Sequence, residues 1–377
     1  MRVVMVSDVY FPRINGVSTA IQTYRQALRQ HGVDVRLVAP DYGVPRGDAD
    51  ESWISRVAAW PVPGDPEDRL ARWRHMHDAV EAVVEQGCDL IHVQTPFVAH
   101  YAGCSTAKRY GVPVLATYHT LFEEYLKHYA PLIPSSWLRG LARRFSRRQC
   151  NALDAVIVPS RAIELRLGDY GVKTPMHILP TGISLAQPDD NGRRDFREQH
   201  GIDPARPVAL FVGRVAHEKN IDYLLDVVDL ARAWVPDILL VIAGEGPARS
   251  SLRRIVADRG LQDCVQFIGY LDRKSELPGC YAAADVFVFA SRTETQGLVL
   301  LEAMAAGLPV VALAEMGTVD ILGTGRGAVV PEDNPYAFAL AVADVLRDPV
   351  LRHSLAQEGR VYAAEWSDTA LAGRMAD

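Results

Sequence analysis

The sequence predicts an α/β chain built from two tandem Rossmann-like halves, and three observations support that prediction. The chain has 377 residues, a length that favours two domains. Short apolar runs alternate with amphipathic helical stretches, which is the pattern of βαβ units in a parallel sheet. The alternation stops in a polar, turn-rich segment at 188–192 and then starts again. We therefore expect a first domain over 1–185, a second over 186–365, and a C-terminal helix over 366–377 that can cross back onto the first domain.

The first half begins with a buried strand at 3–7 and a helix that opens at Asn15-Gly16. Apolar residues recur in this helix with a period close to 3.6, and His31-Gly32 ends it. Further strands, with helices between them, are expected at 35–39, 90–93, 114–118 and 156–159.

The second half repeats the alternation of strands and helices. Strands are expected at 208–213, 238–243, 265–268, 286–289 and 310–313. Helices are expected over about 219–233, from Pro247, and over about 296–306. Gly244 and Gly246 predict a tight turn, because Arg249 stands where a dinucleotide fingerprint has its third glycine.

Composition and charge exclude several classes of protein. Hydrophobic residues make up 49% of the chain and charged residues 23%, as in soluble globular proteins. No apolar run approaches the roughly 18 residues of a transmembrane helix, and the N-terminus lacks a signal peptide, so we expect a cytoplasmic chain. The net charge of −6 argues against nucleic-acid binding. Five widely spaced cysteines without a C-x-x-C motif predict free thiols and no zinc site.

The densest cluster of candidate functional residues lies at 292–309. Glu294 precedes a helix opened by Gly297, and Glu302 lies about two turns inside it. Both carboxylates can border a crevice at the carboxyl end of a strand, where open α/β sheets bind ligands. The backbone N–H groups of 296–298, which belong to Gln296, Gly297 and Leu298, would face an anion. The alternative is that both glutamates are ordinary solvated residues.

Two cations flank the start of another helix in the second half. A strand ends at Gly213, and Arg214 and Lys219 follow it. Two cations beside a helix N-terminus suit a diphosphate. The alternative is a pair of solvent-exposed side chains.

The first half offers two further candidates. Gly16, at the first strand-to-helix turn, lets the backbone approach a phosphate closely. His119, at the end of a strand, would face the crevice, although a lone histidine can also be structural. Asp48-Ala-Asp50 lies in a loop rich in Gly, Pro and Asp rather than at a strand end, so we expect no metal site.

A basic segment interrupts the mildly acidic chain, since residues 125–153 contain no Asp or Glu. Trp137, Leu141 and Phe145 recur at helical spacing, and Leu138 joins their face. The rest of the helix is rich in arginine, at Arg139, Arg143, Arg144, Arg147 and Arg148. An aromatic stripe beside an arginine-rich face suits an anionic bilayer. The alternative is a helix packed on the core with a solvated basic face.

Two motifs of the second half resemble those of the retaining glycosyltransferases of family 4. Glu294 and Glu302 form E-x7-E within the string T-E-T-Q-G-L-V-L-L-E-A-M-A-A-G-L-P. Residues 213–220 are similar to the family's G-R … E-K-N segment. In the first half, Asn15-Gly16-Val17 stands where the family has its N-terminal glycine loop, and His119 stands where it has its crevice histidine. The resemblance covers nearly the whole chain and implies the GT-B fold, two Rossmann-like domains with a cleft between them.

The resemblance implies a role for each donor-side residue. Arg214 and Lys219 would bind the diphosphate of a nucleotide sugar and stabilise it as it leaves. Gly16 would let backbone amides approach the acceptor side of the phosphate. Glu302 would accept hydrogen bonds from the ribose, and Glu294 would hold hydroxyls of the transferred sugar.

The resemblance also implies how the reaction proceeds. His119 would contact the sugar from the opposite domain. The acceptor hydroxyl would attack the front face and lose its proton toward the departing phosphate, without a metal, a cofactor or a protein nucleophile. Arginine, lysine and helix N-termini can stabilise the charge of the leaving group.

Residues 117–129 and the basic helix after them resemble the branch that glycosylates membrane lipids, whose members include diacylglycerol α-glucosyltransferases. We therefore expect UDP-glucose as donor, diacylglycerol as acceptor, and a peripheral position on the inner face of the membrane. The alternatives are a GDP-mannose-dependent mannosyltransferase, a glycosyltransferase with a polysaccharide or small-molecule acceptor, and a catalytically silent nucleotide-sugar-binding protein. A nucleotide-sugar epimerase and a nicotinamide-dependent dehydrogenase fit the motifs less well.

Overall fold

The computed structural model describes residues 1–13, 15–43, 52–62, 65–119, 135–183, 191–273, 275–368 and 370–371. The chain divides into two compact units, which we call the first unit (Met1–Gly182 with Asp368–Asp377) and the second unit (Ile183–Ser367). The domain limits at 185 and 365 stay predictions, because compact units are not by themselves shown to fold independently. The Asp48–Asp50 loop and most of the expected C-terminal helix lie outside the described residues.

The first unit is built on nine described strands. They are β1 (Arg2–Val6), β2 (Asp34–Pro40), β3 (Ile54–Val57), β4 (Ala59–Val62), β5 (Asp65–Ala71), β6 (Leu90–Val93), β7 (Val114–Thr117), β8 (Ala155–Val158) and β9 (Met176–Ile178). Seven of them form a sheet in the order β3-β2-β1-β6-β7-β8-β9, and its neighbouring strands are parallel. Strands β4 and β5 form a separate antiparallel hairpin.

Helices connect the parallel strands of the first unit. They are α1 (Gly16–Gln30), α2 (Trp73–Glu85), α3 (Val98–Tyr110), α4 (Ser135–Cys150) and α5 (Arg161–Asp169). The predicted start of α1 is confirmed, since the side chain of Asn15 accepts a hydrogen bond from the Ser18 amide at 2.8 Å. Its predicted apolar face is also confirmed, because Ile21, Tyr24 and Leu28 are buried.

The second unit holds a six-stranded parallel sheet. Its strands are β10 (Val208–Val212), β11 (Leu239–Ala243), β12 (Val265–Gly269), β13 (Val286–Phe289), β14 (Val310–Ala312) and β15 (Ala328–Val329). They lie in the order β12-β11-β10-β13-β14-β15. Counted from its own first strand, this is the 3-2-1-4-5-6 order of the Rossmann fold, so the predicted fold class is confirmed.

The second unit's helices are α6 (Gly192–Gln199), α7 (Ile221–Ala231), α8 (Arg249–Asp258), α9 (Leu277–Ala283), α10 (Leu298–Ala305), α11 (Thr318–Leu322), α12 (Pro335–Arg347) and α13 (Pro349–Ala364). The helix expected over 219–233 is interrupted. A 3₁₀ turn, His217–Lys219, comes first, and α7 begins after Asn220. Asn220 has a φ of 54°, and this left-handed conformation breaks the helical path.

Four stretches of strand were absent from the prediction: β3, the β4–β5 hairpin, β9 and β15. Strand β5 has the sequence DPEDRLA, which lacks the apolar alternation that marks a strand. Strands β9 and β15 have three and two residues, too few for a pattern.

The core explains why polar residues collect at strand ends. All five residues of β11 are buried, as expected for a parallel sheet covered on both faces. Polar side chains can then reach solvent past the carboxyl ends of the strands. Within the described residues, no helix is long and apolar enough to cross a bilayer. All five cysteines are free, as predicted.

Candidate functional site

Polar side chains of the second unit gather beyond the carboxyl ends of β10 and β13. The Lys219 Nζ atom donates to Glu294 Oε1 at 2.5 Å. The two side chains are 21% and 16% exposed, so the ion pair is partly shielded from water. The structure therefore brings together two of the residues that the sequence placed in separate motifs.

Hydrogen bonds between two loops hold this ion pair in place. The side-chain amide of Asn220 donates to the Ala290 carbonyl at 3.1 Å, just after β13. The Thr293 hydroxyl lies 3.5 Å from the Glu218 carbonyl oxygen. These contacts join the 3₁₀ turn that carries Lys219 to the loop that carries Glu294.

Arg214 lies two residues after the end of β10 and is exposed. Its guanidinium lies 3.6 Å from a carboxylate oxygen of Glu218, one residue before Lys219. The predicted pair of cations thus lies on one short loop of the second unit. Both have a carboxylate partner in this structure.

The glycines after β11 allow two loops to pack closely. A Cβ atom on Gly244 would lie 1.9 Å from the Gly213 carbonyl oxygen, and one on Gly246 would lie 2.3 Å from the Val215 carbonyl oxygen. Both residues also have positive φ angles, 139° and 158°. Close backbone contact beside Arg214 thus accounts for both glycines.

Glu302 lies on α10 and is held by two side chains. Its Oε1 accepts from the Arg273 guanidinium, and its Oε2 accepts from the Tyr281 hydroxyl at 3.0 Å. Burial, and then the charge of Glu302, raises the pKa of Tyr281 well above its ordinary value, so Tyr281 stays a donor. A carboxylate oxygen can accept two hydrogen bonds, so Glu302 keeps capacity for a ligand's hydroxyl groups.

The start of α10 is shaped by Gly297, which has a φ of 96°. Gln296 before it is buried, and Leu298 is the first helical residue. The Gly317 amide donates to the Glu294 carbonyl at 2.9 Å. This contact holds the loop before α10 against the start of α11.

His119 lies just after β7 in the first unit, and its Nε2 is 2.9 Å from Gln94 Oε1. Gln94 is buried and follows the neighbouring strand, β6. Burial lowers the pKa of His119 to about 4, so the imidazole is neutral at pH 7. With the glutamine oxygen as acceptor, the assigned tautomer carries its proton on Nε2. The ring of Tyr24, on α1, lies 6.4 Å away.

Gly16 is exposed as the first residue of α1. A Cβ atom added there would meet no protein atom within 4 Å, so packing does not require a glycine. Near the same sheet edge, buried Asp8 accepts hydrogen bonds from the Thr95 hydroxyl at 2.7 Å and the Ala99 amide at 3.1 Å. Burial raises the pKa of Asp8 to about 6.

Part of the predicted apolar stripe of α4 is exposed to solvent, and part of it packs against the protein. Trp137 and Leu141 are 78% and 59% exposed, whereas Phe145 is partly buried. The side chain of Leu138 lies outside the described part of the chain. The side chains that are buried instead belong to Ala142, Ser146, Gln149 and Cys150. The predicted arginines are all exposed, namely Arg139, Arg143, Arg144, Arg147 and Arg148.

Helix α4 is also longer than the strands it connects. Its 16 residues span about 24 Å, whereas the four residues of β7 or β8 span roughly 13 Å. Its C-terminal end is anchored, because the Thr174 hydroxyl donates to the Cys150 carbonyl at 2.9 Å. The N-terminal half, with Trp137 and Leu141, therefore extends past the carboxyl edge of the first sheet.

Sequence reasoning missed Gln94, Arg273 and Tyr281. Gln94 follows a predicted strand directly, so its position at a carboxyl end was a usable signal. Arg273 comes after β12, but three residues lie between the end of the strand and Arg273. Tyr281 lies on the largely apolar helix α9, so nothing in the sequence marks it as a functional residue. The described residues contain no cluster of three His, Cys, Asp or Glu side chains that could hold a metal ion.

Comparison with known proteins identifies the family of the chain. The profile described as Glycosyltransferase Family 4 matches residues 14–187, and the profile described as Glycosyl transferases group 1 matches 192–362. The alpha-monoglucosyldiacylglycerol synthase of Streptococcus pneumoniae is 32% identical over 97% of this chain and 83% of its own. The chain belongs to the family 4 glycosyltransferases.

Further relatives and solved structures are similar to this family 4 glycosyltransferase. The GDP-mannose-dependent alpha-mannosyltransferase of Mycobacterium tuberculosis is 28% identical over 97% of this chain and 93% of its own. Sucrose-phosphate synthase from Thermosynechococcus elongatus superposes with a TM-score of 0.82 at 23% identity, covering 99% and 97% of the two chains. Anabaena HepE, solved with UDP and glucose, gives 0.79 at 16% identity, covering 99% and 98%. These structures show the GT-B fold.

Proposed function

We propose that this glycosyltransferase moves glucose from UDP-glucose to the free hydroxyl of diacylglycerol, with retention of the anomeric configuration and without a metal ion. The observation that carries the proposal is the Lys219–Glu294 ion pair beside Arg214. It places two cations and a carboxylate beyond the carboxyl end of a Rossmann sheet, where such folds bind nucleotides.

Each donor-side residue has a role in the proposal. Arg214 and Lys219 bind the diphosphate, together with the backbone N–H groups of 296–298 at the start of α10. Glu302 accepts hydrogen bonds from the ribose hydroxyls with the lone pairs that Arg273 and Tyr281 leave free. Glu294 and the neutral His119 hold hydroxyls of the sugar. Gly16 leaves room for backbone to approach the phosphate.

The proposed chemistry is a single front-face displacement. The bond between the sugar's C1 and the phosphate oxygen breaks, and a bond from C1 to the acceptor oxygen forms on the same face. The acceptor's proton passes to the departing phosphate. Arg214 and Lys219 stabilise the negative charge that develops on the diphosphate, which is the task a divalent ion performs in other transferases. No protein nucleophile is assigned.

Support for a lipid acceptor comes from α4 and from one relative. Exposed Trp137 and Leu141 lie among arginines at the overhanging end of α4, which suits an anionic bilayer. A relative that aligns over most of both chains is named as a synthase of a glucosyldiacylglycerol. We therefore place the enzyme as a peripheral protein on the inner face of the cell membrane.

The second candidate is mannosyl transfer from GDP-mannose, because several relatives carry that name. The two candidates share the diphosphate chemistry and differ in base and sugar.

A donor panel tests the proposal. UDP-glucose, UDP-galactose, UDP-N-acetylglucosamine and GDP-mannose are each supplied with EDTA and anionic vesicles that contain diacylglycerol. We expect hexose in the lipid fraction with UDP-glucose alone. Label from GDP-mannose would favour the second candidate. Nucleotide release without a lipid product would move the acceptor to a soluble molecule, and no release would support a silent binding protein.

The membrane role of α4 is tested by replacing Arg139, Arg144 and Arg148 with glutamine. Arg143 and Arg147 are kept, because Arg143 lies 5.4 Å from the Tyr170 ring and Arg147 lies against Gly171. The variant should bind anionic vesicles more weakly, and its binding should depend less on salt. Binding equal to wild type at all salt concentrations would make α4 a solvated basic face.

A further inference from the structure

The first unit exposes a second group of apolar side chains, away from α4 in the sequence. Five large side chains of the hairpin, of α2 and of the start of α3 are between 46% and 58% exposed: Trp60, Leu70, Trp73, Phe97 and Tyr101. We call this group the apolar belt. Scattered exposed apolar residues are common, but four aromatic residues and a leucine within one hairpin and two helix starts form a group that needs an explanation.

The hairpin holds part of the belt together. Trp60 on β4 pairs across the hairpin with Leu70 on β5. The guanidinium of Arg72 lies 5.2 Å from the Trp60 ring, and Trp73 follows as the first residue of α2. These residues therefore present apolar surface and positive charge side by side.

Topology places the belt on the same edge and face as the overhanging end of α4. In a parallel sheet, the helix after each strand begins at the carboxyl edge. Helices α2, α3 and α4 each lead to a strand farther along the sheet in the same direction. Right-handed crossovers then put all three on one face of the sheet, and α2 packs against α3. The belt and the exposed part of α4 thus share one edge of the first unit.

The charges near the belt suit an anionic surface. Between Arg69 and His77 the chain carries three arginines and no acid. In the sequence of β5, three acids, Asp65, Glu67 and Asp68, precede Arg69. Tryptophan and tyrosine favour the interface of a bilayer, where an apolar ring and a polar edge are both satisfied.

We propose that the apolar belt is a second membrane-contacting surface, which enters the interface of the same anionic bilayer that α4 binds. Two separated contacts fix the orientation of the first unit on the membrane, whereas α4 alone leaves it free to rotate about one helix. The inference rests on the proposed membrane function. It adds the surface that orients the carboxyl edge of the first sheet toward the lipid.

The test compares three variants in vesicle sedimentation. The belt variant carries Trp60→Ser, Leu70→Ser and Trp73→Ser. A matched control removes exposed apolar residues of the second unit, Val319→Ser, Val350→Ser and Val361→Ser, which are 44% to 78% exposed. The third is the α4 glutamine variant described above. We expect the belt variant to bind vesicles of phosphatidylglycerol and phosphatidylcholine at least about tenfold more weakly than wild type, and the control to bind as wild type does.

A conservative pair of variants guards against misfolding. Trp60→Phe and Trp73→Phe keep the apolar rings but remove the fluorophores. Lipids brominated near the interface should quench wild-type tryptophan fluorescence, and the quenched fraction should fall in these variants.

Each failure has a distinct meaning. Unchanged vesicle binding of the belt variant together with weakened binding of the α4 variant would overturn the belt proposal alone. Wild-type protein that does not bind vesicles would overturn both the belt and the proposed membrane function. A dimer in sedimentation velocity that the belt variant abolishes would assign the belt to self-association instead.

Discussion

The Lys219 ammonium and the Glu294 carboxylate form an ion pair of 2.5 Å, although 75 residues separate them in the chain. The contact joins the loop after β10 to the loop after β13, which are neighbouring strands. A cation already held in place loses little side-chain freedom when a phosphate arrives. The same carboxylate lowers the net positive charge at the site before a phosphate binds.

Lys219→Met should lower kcat by about 10²- to 10³-fold, because it removes a positive charge aimed at the leaving diphosphate. Initial rates at saturating donor measure the effect. Lys108→Met, an exposed lysine of α3, is the matched control and should act as wild type does. A Lys219 variant within about twofold of wild type would remove Lys219 from the reaction.

Glu302→Gln should raise the KM for the donor about tenfold and change kcat little, because it weakens ribose binding in ground and transition states alike. Steady-state kinetics with varied donor measure the split. Glu198→Gln, an exposed residue of α6, serves as control. A fall in kcat with constant KM would place Glu302 at the reacting atoms rather than at the ribose.

Gly16→Ala should leave the melting temperature unchanged but lower activity, since the added methyl group meets no protein atom yet would intrude on a bound phosphate. A displacement of about 1 Å can cost up to about 10²-fold in rate. Gly168→Ala on α5, which also has open space, is the matched control for stability and activity. Full activity of Gly16→Ala would show that no phosphate approaches this turn.

Gly244→Ala should destabilise the second unit by roughly 2 kcal/mol or more, because its Cβ would overlap the Gly213 carbonyl oxygen and its φ of 139° disfavours a side chain. Urea unfolding measures the loss. A midpoint equal to that of Gly168→Ala would show that the two loops separate at little cost.

Acid should weaken the first unit through its buried histidines. Burial lowers the pKa of His119 from 6.5 to about 4, and that of His92 to about 3. The unfolded chain therefore binds more protons than the folded one between these values and pH 6.5. The stability due to neutral His119 is complete above pH 6.5 and is lost as the pH falls toward 4. Asp8, whose pKa is raised to about 6, opposes this trend below pH 6.

His119→Gln should therefore flatten the loss of stability between pH 7 and pH 5. Urea midpoints of wild type and variant at the two pH values measure the difference. The same loss in both proteins would mean that other groups cause the acid sensitivity.

The sequence predicted the fold where apolar periodicity was strong and missed it where local chemistry overrode the pattern. Helix α1 starts and ends as its cap residues predict. The helix expected over 219–233 fails at Asn220, which has a left-handed backbone and whose side chain donates to the carbonyl of Ala290, 70 positions away. A contact of that range is invisible to periodicity.

At the candidate site, the sequence identified single residues but not which of them pair. Motif spacing identified Lys219 and Glu294 separately, but their pairing needed the strand order. Gln94 was missed because a single glutamine after a strand has no motif, although His119 follows the adjacent strand, β7. The exposed face of α4 also needed the structure, since the same stripe could have packed inward.

One incubation tests the central claim most directly. Radiolabelled UDP-glucose is mixed with the protein, EDTA and anionic vesicles containing diacylglycerol, and the extracted lipid is treated with α-glucosidase or β-glucosidase. We predict that the lipid becomes labelled and that α-glucosidase, but not β-glucosidase, releases the label. No label should appear in the lipid when Lys219→Met replaces wild type. Unlabelled lipid, or label released by β-glucosidase alone, would contradict transfer of glucose to diacylglycerol with retention.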